Sequence, residues 1–572
     1  MDFDELSRHD VRHGEHISEI LDELARFKLP PWPGDFRDTV ADGVAFITFA
    51  YDIDGVSMEI AKYARSFETL RPGLPIHCIA GNFGAKADAV LEPRWQRFRL
   101  DGADGWDKWD DGRWFQQLFY EDIPPNSDRS SVLAAEMWEQ ALALAARLIA
   151  YLDAHRIRTL FTVNTNSNPG NVALGLALVL VSETSGVVVI NNNHDFYWEG
   201  GKARCKRIPG ERPGPRDHFF RNHDNEEFFS FLQRIYPWNG RRWAQVDINT
   251  LQSRRLIDRF HFPPDRVFTI GTGVDPAFFR VRTPEVRAQC RAAMSRLLGG
   301  NPVVAATPVD RFAGRLGEWM ADQRPVVCGH GEGRVLDLTA PDALVLLQPT
   351  RIVERKRIWK DWELIGALLH HPPFREVFEQ RPSLSLTLQI TGPVPIEHRG
   401  CLETVIESYR DVLVHLPDEI GARVFLALSA GWQSHPDLAE DIGVVDIYQL
   451  ADVVVFPSQT EGRGLPIIEA SAAGIPIVCS RYEPHAVFAE VVGEHLPVAD
   501  HVDYELYPEE VSPEGFDHEL LDRVGRILLD PASQAERIER NREAVLHRYS
   551  FDALQASIES VVARLESTVR GH

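Results

Sequence analysis

Short runs that are apolar at nearly every position, each trailed by a segment of helical spacing, dominate this 572-residue chain. Ala45 to Tyr51 (AFITFAY), Pro75 to Ala80, Thr159 to Val163 and Gly186 to Ile190 form a first series. Ala343 to Leu347, Leu384 to Thr391, Val453 to Phe456 and Ile475 to Cys479 form a second. Helical spacing is found over Val56 to Phe67, Val132 to His155, from Val172, over Trp362 to His370 and over Pro466 to Ala473. A strand without polar alternation is buried on both faces, which a parallel sheet sheathed in helices provides. The spacing therefore predicts an α/β chain of two doubly wound, Rossmann-like domains facing across a cleft, with ligand groups at the C-terminal ends of the strands.

The boundaries follow from where the alternation stops. Residues 1–40 read as a helical extension closed by Pro30-Pro31-Trp32-Pro33-Gly34. Residues 41–280 form the first domain, 281–340 an insert without clear assignment, and 341–548 the second domain. An amphipathic C-terminal helix, 549–572, is free to pack on either domain. Acidic residues outnumber basic ones by 84 to 61, a net charge of −23, which argues against nucleic acid as a partner. The six cysteines are scattered without CxxC pairs or metal-ligand spacing. With no leader-like start and no apolar run of membrane length, the chain reads as cytoplasmic, without structural disulfides or a metal.

The most informative stretch is Pro457-Ser458-Gln459-Thr460-Glu461-Gly462-Arg463-Gly464-Leu465-Pro466-Ile467-Ile468-Glu469. A buried strand ends, a glycine turn follows, and Pro466 suits the first turn of a helix. Gly462 and Gly464 let backbone N–H groups of Gly462, Arg463, Gly464 and Leu465 approach an anion at a helix N-terminus. Glu461 and Glu469 make sense there as acceptors for sugar hydroxyls. An ordinary βα loop with solvated glutamates has the same composition. A second constellation, Thr350-Arg351-Ile352-Val353-Glu354-Arg355-Lys356, follows strand 343–347. Arg351 and Lys356 there are suited to neutralise a departing diphosphate, and equally to a solvated basic turn.

Together these residues resemble glycosyltransferase family 4. Glu461 and Glu469 look like its E-x7-E signature, and Arg351 with Lys356 its R-x4-K pair. Thr269-Ile270-Gly271-Thr272-Gly273-Val274-Asp275 with Phe278 is similar to the stretch leading out of its N-terminal domain. DIYQLADVVVFP (446–457) and AAGIPIV (472–478) match the flanking pattern. The resemblance implies a retaining GT-B hexosyltransferase that forms an α-glycosidic bond from a nucleotide-diphosphate sugar. GDP-mannose, UDP-glucose and ADP-glucose stand undecided as donor. It implies no required cofactor and no metal. Arg351 and Lys356 would hold the diphosphate, Glu461 the donor sugar and Glu469 the ribose. Other GT-B activities, a phosphorylase or a nucleotide-sugar epimerase, share the architecture, as would a non-catalytic sugar-nucleotide sensor or scaffold.

In the first domain His194, directly after a buried strand, resembles the family histidine that contacts the donor sugar. Asp195 and Tyr197 beside it, and Gly55 in the loop after the first strand, are candidates for the acceptor side, with loop core as the alternative for the aromatics. Two departures stand out. The family's glycine-rich loop is reduced to Asp52-Ile53-Asp54-Gly55-Val56-Ser57, and Arg463 replaces an aromatic or small residue. Residues 202–259 hold thirteen Lys or Arg against seven Asp or Glu. Arg204 and Arg207 in that segment suggest an anionic acceptor such as a sugar phosphate, while a solvated loop or a membrane-surface patch would carry the same charge.

Overall fold

The computed structural model describes residues 2–27, 29, 40, 42–52, 54–105, 117, 123–199, 225–275, 279, 281, 283–298, 303–304, 325–330, 336–395, 398–430, 444–509 and 515–570. The chain divides into two compact units, residues 1–272 with 551–572, and residues 273–550.

The first unit is built on a seven-stranded parallel sheet in the order β5-β3-β1-β6-β7-β8-β9. Its strands are β1 Val44–Ile47, β3 Ile76–Ala80, β5 Gln96–Arg99, β6 Thr159–Val163, β7 Val188–Asn193, β8 Trp243–Asp247 and β9 Val267–Thr269. The expected strand Ala45 to Tyr51 is broken. Ile47 ends β1, and Ala50–Tyr51 (β2) pairs separately with Asn82–Phe83 (β4). The helix Val172–Ser185 is buried on every side and is capped by Asn171, whose Oδ1 accepts the Leu174 N–H at 2.9 Å. Helix Gly14–Arg26 turns Ile17, Ile20, Leu21 and Leu24 into the same apolar core as helix Asp128–Ala154. The C-terminal helix Phe551–Arg570 packs on helix Gly55–Leu70 through Leu554, Ile558, Val561 and Leu565. Burial of each such side chain stabilises the unit by about 1.5–3 kcal/mol.

The second unit holds an eight-stranded sheet in the order β10-β11-β14-β13-β12-β15-β16-β17. These are β10 Val303–Val304, β11 Val326–Gly329, β12 Ala343–Gln348, β13 Ser385–Ile390, β14 Val424–Leu428, β15 Val453–Phe456, β16 Ile477–Ser480 and β17 Glu505–Tyr507. Strand β11 runs antiparallel to β14, the exception in an otherwise parallel sheet. Strands β10 and β11 come from the stretch without clear assignment in the sequence.

Both sheets reverse their direction of growth. From β1 the first chain segment winds outward to β3 and β5, then returns to β6 on the other side of β1. From β12 the second winds to β13 and β14, then returns to β15. Loops part at such a reversal and leave a crevice at the C-terminal strand ends, where ligands of doubly wound sheets bind.

Candidate functional site

The reversal in the second unit carries the charged residues. Lys356 lies on the loop after β12 and Glu461 on the loop after β15, the parallel neighbour of β12. Both side chains are about nine-tenths buried, and the Lys356 ammonium is hydrogen-bonded to Glu461 Oε1. The Phe456 ring lies 5.2 Å from the ammonium. Burial pushes the Lys356 ammonium below its ordinary pKa. Glu461 pulls it back up, while Arg355 and Arg351 push it down further. Glu461 is therefore no solvated loop glutamate.

The two loops are tied through the backbone as well. The Gln459 N–H donates to the Arg355 carbonyl at 2.8 Å, and Arg355 Nη1 donates to the Thr460 carbonyl at 2.8 Å. Arg357, in the left-handed region at φ 48°, reaches the Pro457 carbonyl through Nε at 3.0 Å. Beneath them, buried Asp361 accepts from Gln348 Nε2 (3.0 Å), and Gln348 Oε1 accepts from Thr350 Oγ1 (2.9 Å). Burial holds the Asp361 carboxyl far above the usual carboxylate range. Arg351 stands exposed at the same strand end.

The glycine turn opens helix Leu465–Ala473 as the sequence anticipates. Gly464 is the N-cap at φ 75°, and a Cβ there would sit 2.3 Å from the Tyr482 hydroxyl, so both conformation and space demand glycine. Tyr482 donates to the Arg463 carbonyl at 3.1 Å, and the Glu461 N–H donates to the Glu483 carbonyl at 2.9 Å. A helix start leaves its first N–H groups without intrahelical partners. Gly462 and Leu465 are exposed beside this end, and half-buried Glu469 accepts the Tyr448 hydroxyl at 2.6 Å. Burial, together with Glu469, keeps that phenol protonated. The Arg463 side chain turns away from the turn, buried against Glu490 and the Tyr549 ring.

The strand ends of the first unit are different. The His194 backbone N–H donates to Asn164 Oδ1 at 2.8 Å, the Asp195 N–H shares that acceptor at 3.3 Å, and both side chains are half-buried. Buried Glu59 on helix Gly55–Leu70 accepts from Thr272 Oγ1 (2.7 Å) and Lys62 Nζ (3.1 Å). Burial alone would raise the Glu59 carboxyl; Lys62, His194 and Thr272 outweigh it and hold it below the usual range. Gly55 is exposed with open space where a side chain would stand, and the helix it opens is capped by Asp54, whose Oδ1 accepts the Ser57 N–H at 2.7 Å. A carboxylate thus occupies the end where a phosphate would have to bind.

Tyr197 belongs to the apolar core, and Phe196 stacks on Trp198 with centroids 4.3 Å apart. The aromatic trio is loop core. Arg204, Arg207 and Phe278 lie outside the described residues. Of the basic segment, Arg234 pairs with Asp22 at 2.9 Å, and Arg242 donates to the Gly186 carbonyl at 2.6 Å, both in packing roles.

Sequence reasoning missed Glu59, Lys62, Glu490, Tyr448 and Tyr549. Each sits on a helix or a short 3₁₀ segment whose pattern is ordinary, and only Glu59, a carboxylate on a face otherwise buried and apolar, left a signal. Among the described residues no cluster of three metal-ligand side chains occurs, and no helix is long and apolar enough to cross a membrane.

Residues 433–543 match the family of Glycosyl transferases group 1. Over 126 residues the chain is 34% identical to O-antigen chain mannosyltransferase B of Escherichia coli, covering 21% of this chain and 30% of that protein. Over 260 residues it is 27% identical to D-inositol 3-phosphate glycosyltransferase of Saccharomonospora viridis, covering 45% of this chain and 44% of that protein. The chain thus spans less than half the length of these curated relatives. In structure it is similar to the N-terminal domain of trehalose-6-phosphate phosphatase from Candida albicans, with a TM-score of 0.51 at 11% identity over 94% of this chain and all of that one. That likeness is one of fold. The two Rossmann-like α/β units are those of the GT-B class.

Proposed function

We propose that this chain is a retaining glycosyltransferase that moves a hexose from a nucleotide-diphosphate sugar to a hydroxyl acceptor, forming an α-glycosidic bond. One observation carries the reading: a buried lysine–glutamate pair at the reversal of the second sheet, immediately before a glycine turn that opens a helix. The match to group 1 glycosyl transferases over residues 433–543 covers that turn and helix.

On this reading the diphosphate accepts hydrogen bonds from Lys356, from Arg351 and from the N–H groups at Gly462 to Leu465. These donors are fixed before the reaction and stabilise charge as it develops on the leaving group, without reorganising. Glu461 accepts from hydroxyls of the transferred sugar and Glu469 from the ribose. Glu461 has a second task in the same geometry: beside Lys356 it keeps a buried ammonium charged. His194, in the first unit, is assigned to the reacting sugar. The departing phosphate takes the acceptor's proton, so the reaction needs no protein nucleophile and no resident metal. The acceptor is proposed to be an anionic hydroxyl compound such as a sugar phosphate, with Arg204 and Arg207 as its contacts.

Incubation with GDP-mannose, UDP-glucose or ADP-glucose, and a panel of sugar phosphates, tests this. Acceptor-dependent release of one nucleoside diphosphate with an α-linked product is expected. Phosphate-dependent cleavage, epimer formation without an acceptor, or binding without turnover would each replace the reading.

A further inference from the structure

The Arg463 side chain is the least expected group near the proposed donor site. It lies between the two glycines of the turn, yet its side chain is only 7% exposed. A buried charge costs several kcal/mol unless it is paired, and an apolar side chain of similar volume would pack at lower cost. The surroundings are correspondingly specific. Nη1 donates to Glu490 on helix His485–Val492, the guanidinium carbon lies 5.2 Å from the Tyr549 ring centre, and Nε has no partner among the described residues. The same residue's carbonyl accepts the Tyr482 hydroxyl at 3.1 Å. Main chain and side chain of Arg463 are thus gripped from opposite ends of one residue.

Tyr549 is itself anchored. It closes helix Ala535–Tyr549, the last element before the chain leaves the second unit. Its carbonyl accepts the Val274 N–H at 2.7 Å, and Val274 pairs with Ser550. Arg548 lies 4.8 Å from the Tyr549 ring and donates to the Val491 carbonyl at 3.0 Å. The cluster therefore joins the glycine turn, helix His485–Val492 and the paired segments through which the chain enters and leaves this unit.

We propose that the Arg463 side chain is a positioning group: linked to Glu490 and Tyr549, it fixes the tilt of the Gly462–Leu465 backbone and so sets affinity for the nucleotide-diphosphate donor without itself touching it. The inference rests on the glycosyltransferase reading and adds Glu490 and Tyr549 to the residues that control donor binding.

The test is titration of the full-length chain with whichever of GDP, UDP or ADP it binds. Arg463→Met and Glu490→Gln each weaken binding by about tenfold, and the two together weaken it no further, because both cut one link. Acceptor KM stays within about twofold in each. The apolar pair Arg463→Met/Glu490→Leu separates positioning from packing. It retains the wild-type melting temperature and the weakened affinity. Wild-type affinity in that pair, or in both single variants, would overturn the proposal and leave the glycosyltransferase reading standing. A wild-type chain that binds no nucleoside diphosphate overturns both.

Discussion

The two units share one reversal of strand order and put different chemistry at it. At the reversal of the second sheet, strands that are apolar but for the terminal Gln348 of β12 end in loops carrying a buried cation and its carboxylate, Lys356 and Glu461. In the first, polarity enters the strands themselves. Thr162 Oγ1 donates to Asn191 Oδ1 (2.7 Å), Asn191 Nδ2 to Asn193 Oδ1 (2.8 Å), and Asn193 Nδ2 to Asp247 Oδ1 (2.8 Å). Ser253 Oγ completes the ladder on Asp247 Oδ2 at 2.9 Å. Among the described residues no cation partners Asp247, and burial pushes its carboxyl up to about 7 despite the Asn193 and Ser253 hydrogen bonds. A doubly wound sheet offers a crevice, and side chains decide what it accepts. Preorganised charge suits a diphosphate, whereas a neutral amide ladder suits rigid support beneath hydroxyl-bearing groups.

The largest effect expected from breaking this contrast lies at Glu461. Glu461→Gln keeps the shape and removes the charge, leaving Lys356 buried without its partner. Transfer falls by about 10²–10³-fold, the range for loss of one preorganised electrostatic contact. Initial rates at saturating donor check this, with circular dichroism confirming the fold.

Asp247→Asn probes the other side. Asp247 has a folded pKa raised above its unfolded value. Its native form therefore holds more protons between about pH 4 and 7, and its contribution to stability falls as pH rises through that window. That fall amounts to on the order of 4 kcal/mol. Asp247→Asn should flatten the pH dependence of melting between those values while leaving diphosphate binding unchanged.

The Lys356 pair gives a smaller, ligand-linked effect. Its ammonium titrates below the ordinary lysine range, so diphosphate affinity declines as pH rises through that lowered pKa. In Glu461→Gln the decline moves to lower pH, because the group that raised the pKa is gone. Lys356→Arg abolishes it, since a guanidinium stays charged. A decline of about tenfold is within reach of calorimetric titration. The smallest effect is Ile558→Val in the C-terminal helix, about 0.5–1.5 kcal/mol. It should lower the transition of the first unit alone.

Much of this contrast was legible in the sequence where apolar runs are continuous. Strands β6 and β15 fall where Thr159 to Val163 and Val453 to Phe456 read as strands. Edge strands were not legible. Gln96–Arg99 (QRFR) and Glu505–Tyr507 (ELY) are short and carry the polarity of a loop. The glycine turn and its helix announced themselves because Gly464 and Pro466 have local backbone reasons to be there. The Lys356–Glu461 contact spans more than a hundred residues and leaves no local trace. The direction of the Arg463 side chain was equally hidden, since composition does not say which way a buried arginine turns. The amide ladder was missed because the apolar run ends at Ile190, yet Asn191 to Asn193 complete β7, and Asn191 and Asn193 pair side chains across to Gln245 and Asp247.

The central claim, that the second unit is built for a nucleoside diphosphate, is tested most directly by thermal unfolding with GDP, UDP and ADP in turn. A ligand at about a hundred times its Kd adds roughly 2.7 kcal/mol of stability. The account predicts that one of the three raises the transition of the second unit, that the first unit's transition stays put, and that Lys356→Ala removes the shift. Three unshifted transitions in the wild-type chain would contradict it.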